Sequence, residues 1–150
     1  MSAGTAETEN HKADIKIMRK ITKIIVHCSA TPEGRDYTVE DIDRWHKQKG
    51  WNGIGYHYVI YRDGSVHTGR DIEVMGAHCA GQNAHSIGVC YIGGMTADNK
   101  KPQDTRTPEQ KAALRDLVEL LTTEYPTATV HGHKEFANKA CPCFDVKTDL

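Results

Sequence analysis

A strong net charge is missing: 19 Lys and Arg stand against 20 Asp and Glu in 150 residues, with the two signs interspersed. A chain that grips a phosphate backbone needs a concentrated basic stripe to displace condensed counterions. None is present, so no nucleic-acid partner is expected. Long apolar runs are missing as well. No segment approaches the roughly 20 consecutive apolar residues that cross a bilayer, so no membrane insertion is expected. The first twenty residues lack the apolar centre of a secretory leader, and the expectation is a soluble chain made in the cytoplasm. Cysteine is sparse and odd in number, five in all. Five thiols without regular spacing make no disulfide framework. In a reducing compartment they serve core packing, metal binding or catalysis more often than cross-linking. No internal repeat or domain boundary interrupts the chain, whose length suits one domain with its own core.

What is present is a clear sequence of elements. Residues 1–19 are small, charged and without periodicity, and read as a flexible extension ahead of a folded domain over residues 20–150. Residues 21–28 are β-branched and apolar on both faces, the pattern of a buried strand. Alternation there puts Ile25 and His27 on one face, Val26 and Cys28 on the other. Thr38 followed by Asp41 forms a capping box for a helix that ends near Lys49, before Gly50, with Val39, Ile42 and Trp45 inward. Residues 56–61 form an aromatic strand, with Tyr56, Tyr58 and Ile60 expected on one face, turned by Asp63-Gly64 into a return strand over 66–68. A glycine-rich polar loop over 76–83 precedes a central strand at 86–92. Residues 93–106 read as a polar surface loop. Thr107, Pro108 and Gln110 open the longest helix, whose apolar face takes in Leu114, Leu117, Leu120 and Leu121. A short strand over 127–132 delivers the tail. The elements add up to an α/β fold: a single domain with a central, mostly mixed sheet of about five to six strands flanked by helices.

That tail holds the chemistry. Residues 131–143, HGHKEFANKACPC, pack two imidazoles and two thiols into thirteen positions. Imidazole and thiolate are ligands zinc prefers, and a catalytic zinc takes three protein ligands while leaving a fourth position open. The best upstream donor is His27. Within the tail, His131 competes with His133 and Cys143 with Cys141. Glu135 reads either as a general base or as a solvated carboxylate. Asp145 is a candidate to hold a ligand imidazole by its other nitrogen. His46 reads as a structural or surface histidine.

The motifs VHCSAT (26–31), RWHK (44–47), GW (50–51), GYH (55–57), RDG (62–64), SIGV (86–89) and KACP with FD (139–145) together resemble the zinc amidases of phage-lysozyme type, grouped with the peptidoglycan recognition proteins. The resemblance spans residues 21–147. It implies an N-acetylmuramoyl-L-alanine amidase of peptidoglycan recognition protein-like fold, with residues 20–150 as the zinc amidase domain. It implies one Zn²⁺ per chain on His27, His133 and Cys141, catalytic support from Tyr56 and Lys139, and substrate contacts from His78 and Asn83. Peptidoglycan is then the expected partner and a monomer the expected state. The implied setting is an endolysin of a phage or prophage that acts on the cell wall after release, through a holin-type pore. A non-catalytic peptidoglycan-binding module and a zinc peptidase cutting within the stem peptide are the alternatives.

Overall fold

The computed structural model describes residues 19–150. The extension expected over residues 1–19 lies outside them except for Arg19, whose guanidinium donates to the carbonyls of Ile72 at 2.7 Å and Ser86 at 3.1 Å. Strand β1 (Lys23–Cys28) is followed by a two-residue strand β2 (Thr31–Pro32), helix α1 (Val39–Gln48), strands β3 (Tyr58–Ile60), β4 (Val66–Thr68), β5 (Ser86–Tyr91) and β6 (Gly94–Met95), helix α2 (Pro108–Glu124), strand β7 (Thr129–Gly132) and a short helix α3 (Val146–Asp149). Five strands form a mixed sheet in the order β4-β3-β5-β1-β7, and β2 pairs with β6 in a separate ribbon. β1 runs parallel to both β5 and β7, and only the β3–β4 hairpin in the main sheet is antiparallel. The expected mixed α/β architecture is therefore present.

Strand β5 sits in the middle and is buried at every position, which explains why its sequence is apolar on both faces. One face of the sheet carries Ile24, Val26, Ile60, Ile87, Val89 and Tyr91 against Leu114, Leu117, Val118 and Leu121 of α2. The opposite face packs Val59 with Ile42 of α1, Ile54 and Ile92. Both long helices start as their sequences require. Thr38 with Asp41, and Thr107 with Gln110, complete reciprocal capping boxes, and Pro108 occupies the first turn of α2. The first free N–H of α1 is also met from the sheet, where Val39 donates to the Tyr61 hydroxyl at 2.8 Å.

Three expectations need correction. Tyr56 does not share a face with Tyr58 and Ile60. It packs with Val59 and Ile42 on the α1 side, because the regular strand begins only at Tyr58 and the period-2 rule does not reach back to residue 56. Leu120 is 55% exposed although it fits the helical stripe; α2 presents its inner face at 114, 117, 118 and 121, and residue 120 falls outside that arc. Residues 93–106 are not a plain surface loop. They include β6, and Thr105 and Arg106 are buried, Arg106 in a bidentate pair with Asp104 and with its guanidinium 3.4 Å from the Phe144 ring. The segment after Phe144 forms α3, capped by Asp145, which was not expected.

Buried histidines give the fold a pH dependence. His46 accepts from the Gly55 N–H at 2.9 Å, and His57 accepts from the Gly88 N–H at 3.0 Å while its other nitrogen faces the Val74 carbonyl at 2.8 Å. Burial holds both rings neutral and lowers their pKa values to about 4 from the ordinary 6.5. Above pH 6.5 neither the folded nor the unfolded chain protonates them, so their contribution is constant. Between about 6.5 and about 4 the unfolded chain binds protons that the folded chain refuses, and stability falls by about 1.4 kcal/mol per pH unit for each ring. Urea midpoints should therefore drop steadily across that window; midpoints that stay level would mean that both rings charge without cost inside the fold.

Candidate metal centre

Parallel strands present their carboxyl ends on one side of a sheet, the edge where α/β folds place ligands. Here β1 ends in His27-Cys28, and β7, its parallel neighbour, runs out at Gly132 directly before His133. The register that pairs Val26 with Gly132 carries the next two residues, His27 and His133, side by side, and their ring centroids are 4.6 Å apart. The chain turns through a 3₁₀ helix at His133–Glu135 and returns Cys141 to the end of β1. There the Cys141 Sγ lies 3.8 Å from His27 Nδ1 and accepts from the Cys28 backbone N–H at 3.2 Å.

One ligand atom from each of His27, His133 and Cys141 lies within 4.8 Å of the others, so the three could hold a metal ion. The donor set fits zinc. Bonds of about 2.0–2.3 Å to nitrogen and sulfur put tetrahedral ligands roughly 3.5 Å apart, close to the spacing of Cys141 Sγ and His27 Nδ1. His27 is 1% exposed, and its other nitrogen, Nε2, lies 2.9 Å from His78 Nδ1. His78 Nε2 in turn lies 3.3 Å from the Ser86 hydroxyl. A metal on His27 Nδ1 requires His27 Nε2–H to donate to His78 Nδ1, and the contacts allow it, with His78 Nε2–H then donating to the Ser86 hydroxyl. Burial, followed by the charges of His78, His133 and Lys139, lowers the His27 pKa well below its ordinary value, which keeps the ring in the neutral form that a metal ligand needs. Burial and Lys139 act on His133 in the same direction.

Two glycines make room for this arrangement. A side chain at Gly88 would meet the His78 ring at 2.6 Å, and one at Gly55 would overlap the backbone carbonyl of Ala77 at the start of the loop that carries His78. These glycines belong to the SIGV and GYH motifs, and the close approach of this loop is the physical reason for glycine at each.

Tyr56 stands beside the cluster, its ring 5.1 Å from that of His27. Burial raises its pKa well above the usual range and its hydroxyl pairs with the Cys90 thiol, so the phenol stays protonated and acts as a hydrogen-bond donor. Lys139 is exposed on the rim. A groove of about 420 Å³ is lined by His133, Lys139, His78, Asn83, Trp51 and Phe136, and among the described residues no acidic side chain lines it. Trp51 and Phe136 were missed in the sequence because neither carries a charge, metal-ligand or nucleophile signature. Asn83 does more than line the groove, since its side-chain oxygen accepts from the N–H groups of His78 and Cys79 at 3.0 Å each and pins the turn beneath His78.

The remaining candidates lie apart from the cluster. His131 is engaged at both nitrogens, by Thr129 Oγ1 at 2.6 Å and by Glu135 Oε1 at 2.9 Å, because β7 ends one residue before His133 and the two imidazoles diverge. Glu135 also accepts from Gly132 N–H at 2.8 Å, so it ties the strand end and does not face the cluster. Asp145 is exposed and accepts from Lys147 N–H at 2.9 Å, capping α3; it contacts no imidazole among the described residues. Cys143 turns its thiol to Cys28 and to the Gly94 carbonyl. His46 meets the Trp51 ring edge-on and lies tilted against Tyr56, with its Nδ1 taken by the Gly55 N–H, so it packs beside the cluster and not in it.

Comparison with known proteins agrees with this geometry. The family model described as N-acetylmuramoyl-L-alanine amidase matches residues 18–144. The endolysin of Escherichia phage T7 is 46% identical over 125 residues, covering 83% of this chain and 82% of that one. The endolysin of Klebsiella phage KP32 is 44% identical over 129 residues, covering 86% and 85%. Among solved structures, the N-acetylmuramoyl-L-alanine amidase LysC from Clostridium intestinale superposes with a TM-score of 0.71 at 29% identity, covering 85% of this chain and 78% of that one. With the matched family spanning nearly all of the described fold and the candidate ligands converging at its sheet edge, the chain belongs to the N-acetylmuramoyl-L-alanine amidase family.

Proposed function

We propose that this chain hydrolyses the amide between N-acetylmuramic acid and L-alanine in peptidoglycan, with one zinc ion held by His27 Nδ1, His133 and Cys141. The observation that carries the reading is the convergence of two imidazoles and one thiol, one of them, His133, lining a groove that has no carboxylate among the described residues. When bound, zinc supplies Lewis acidity that polarises a carbonyl and draws the pKa of a water towards about 7. The protein's own groups do the rest. His78 and Ser86 hold His27 in the tautomer that leaves Nδ1 available. The Cys28 N–H steadies the Cys141 sulfur as a thiolate. The Lys139 ammonium meets the negative charge that develops on the carbonyl oxygen, and Tyr56, protonated throughout, turns its one hydroxyl hydrogen from the Cys90 thiol to the reacting oxygen atoms. His78 and Asn83, with Trp51 and Phe136, shape the wall of the groove that receives the stem peptide. The enzyme works as a monomer and, like the endolysins it resembles, reaches the wall after release from the cytoplasm through a pore made by a partner.

Digestion of purified cell wall by the zinc-loaded protein tests the bond specificity. New L-alanine amino termini, with no new reducing sugar ends, are expected. Amino termini from other stem residues would assign a peptidase instead, reducing ends would assign a glycosidase, and binding without release of either would leave only a recognition module.

A further inference from the structure

The thiols of Cys28 and Cys143 lie 3.9 Å apart, although the residues are 115 positions apart in the chain. Neither thiol is among the candidate ligands, although the Cys28 backbone N–H donates to the Cys141 sulfur. Cys28 points to the α2 side of the sheet, and its neighbour in sequence, His27, points the other way. Cys143 sits two residues beyond Cys141 with a positive φ of 73°, which turns its side chain back over the end of β1. Both sulfurs line a small cavity of about 170 Å³ whose wall also includes Gly94, Pro102, Lys139 and Cys141, so a small reagent that enters it meets the candidate ligand Cys141 as well as this pair.

We propose that Cys28 and Cys143 are a closable thiol pair, a modification site that links the two ligand-bearing segments covalently without using the candidate ligand Cys141. The co-reactant is a small organic disulfide. One protein thiol, as thiolate, attacks that disulfide and releases one small thiol, leaving a mixed disulfide. The second protein thiol then attacks the mixed disulfide and releases the other small thiol. Two protein S–H groups become one S–S bond, the reagent is reduced to two thiols, and both protons leave with them. The reducing cytoplasm keeps the pair open, whereas a wall or periplasmic environment, where disulfides persist, allows it to close. Closing fastens the end of β1 to the tail that carries Cys141, a tie that in the open form rests on hydrogen bonds such as Cys28 N–H to Cys141 Sγ and Tyr91 OH to the Pro142 carbonyl.

The test treats zinc-loaded protein with hydroxyethyl disulfide and follows intact mass, peptide links, metal content and thermal midpoint. The expected product is lighter by two hydrogens and linked between the peptides holding Cys28 and Cys143, with fragment ions separating Cys143 from Cys141. Zinc content is unchanged, and the midpoint rises by roughly 10 °C, the scale for closing a loop of this length, until reductant is added. Cys143→Ser should gain no internal link. A link between Cys28 and Cys141 with loss of zinc overturns the proposal. So does a stable reagent adduct on a single cysteine, no change in mass, or an internal link that persists in Cys143→Ser. The wild-type peptide map decides the matter even if the variant folds poorly. Because the readouts are mass and metal content, the result is separate from whether the amidase reading holds.

Discussion

Cys141→Ala is expected to lose bound zinc and wall hydrolysis together, with the rate falling by at least about 10⁴-fold, the scale seen when a hydrolase loses the group that generates its nucleophile. Cys141 brings the only sulfur of the three candidate ligands, and its Sγ stands 3.8 Å from His27 Nδ1. With alanine there, two neutral imidazoles remain, too few donors for a catalytic zinc. The fold should survive. The tail stays tied to the sheet by the Tyr91 hydroxyl on the Pro142 carbonyl at 2.6 Å and by Lys134 N–H on the Cys141 carbonyl at 2.8 Å. The Cys28 N–H loses its sulfur acceptor, a cost of about 1 kcal/mol. Metal analysis and turnover on purified wall, run beside circular dichroism, check the outcome. A variant that kept stoichiometric zinc and its rate would remove Cys141 from the centre.

Lys139→Ala should separate metal binding from chemistry. The ammonium stands on the exposed rim of the groove, close enough that its charge lowers the pKa of both His27 and His133. It lies outside the group of donors that could hold the ion. Removing one preorganised donor to a developing oxyanion costs about 10²–10³-fold in kcat. The expected result is that loss with zinc content unchanged and KM little altered, and with partial recovery in Lys139→Arg, which keeps the charge but not the shape. Full activity in the alanine variant would exclude a catalytic role, and loss of zinc would recast Lys139 as a support of the metal site.

Local signals were legible wherever the physics is local. Capping boxes at Thr38 and Thr107 use residues three apart, and both are present as read. The Asp63-Gly64 turn needs only a positive φ, and Gly64 has one of 87°. The doubly apolar run of β5 follows from its central place in the sheet. Reading failed where a neighbour far away in sequence decides. β2 and β6 are two residues each and exist only because they meet one another. Tyr56 left its expected face because regular alternation starts at Tyr58. His78 had been placed in the groove wall, and its bond to His27 comes from a loop folding over Gly88, a contact spanning 51 positions.

The sequence by itself determined the kinds of donor available, the long helices, the strand carrying His27 and the family motifs, because composition, capping and periodicity act over a few residues. Motif position favours His133 over His131 and Cys141 over Cys143, but only the tertiary structure brings those two together with His27 and turns their neighbours away. That outcome depends on the parallel register of β7 against β1 and on the turn that ends β7 at Gly132. Adjacent candidates in a chain carry the same chemistry, and only the position of the backbone relative to distant strands aims one of them at the shared centre and the other away from it.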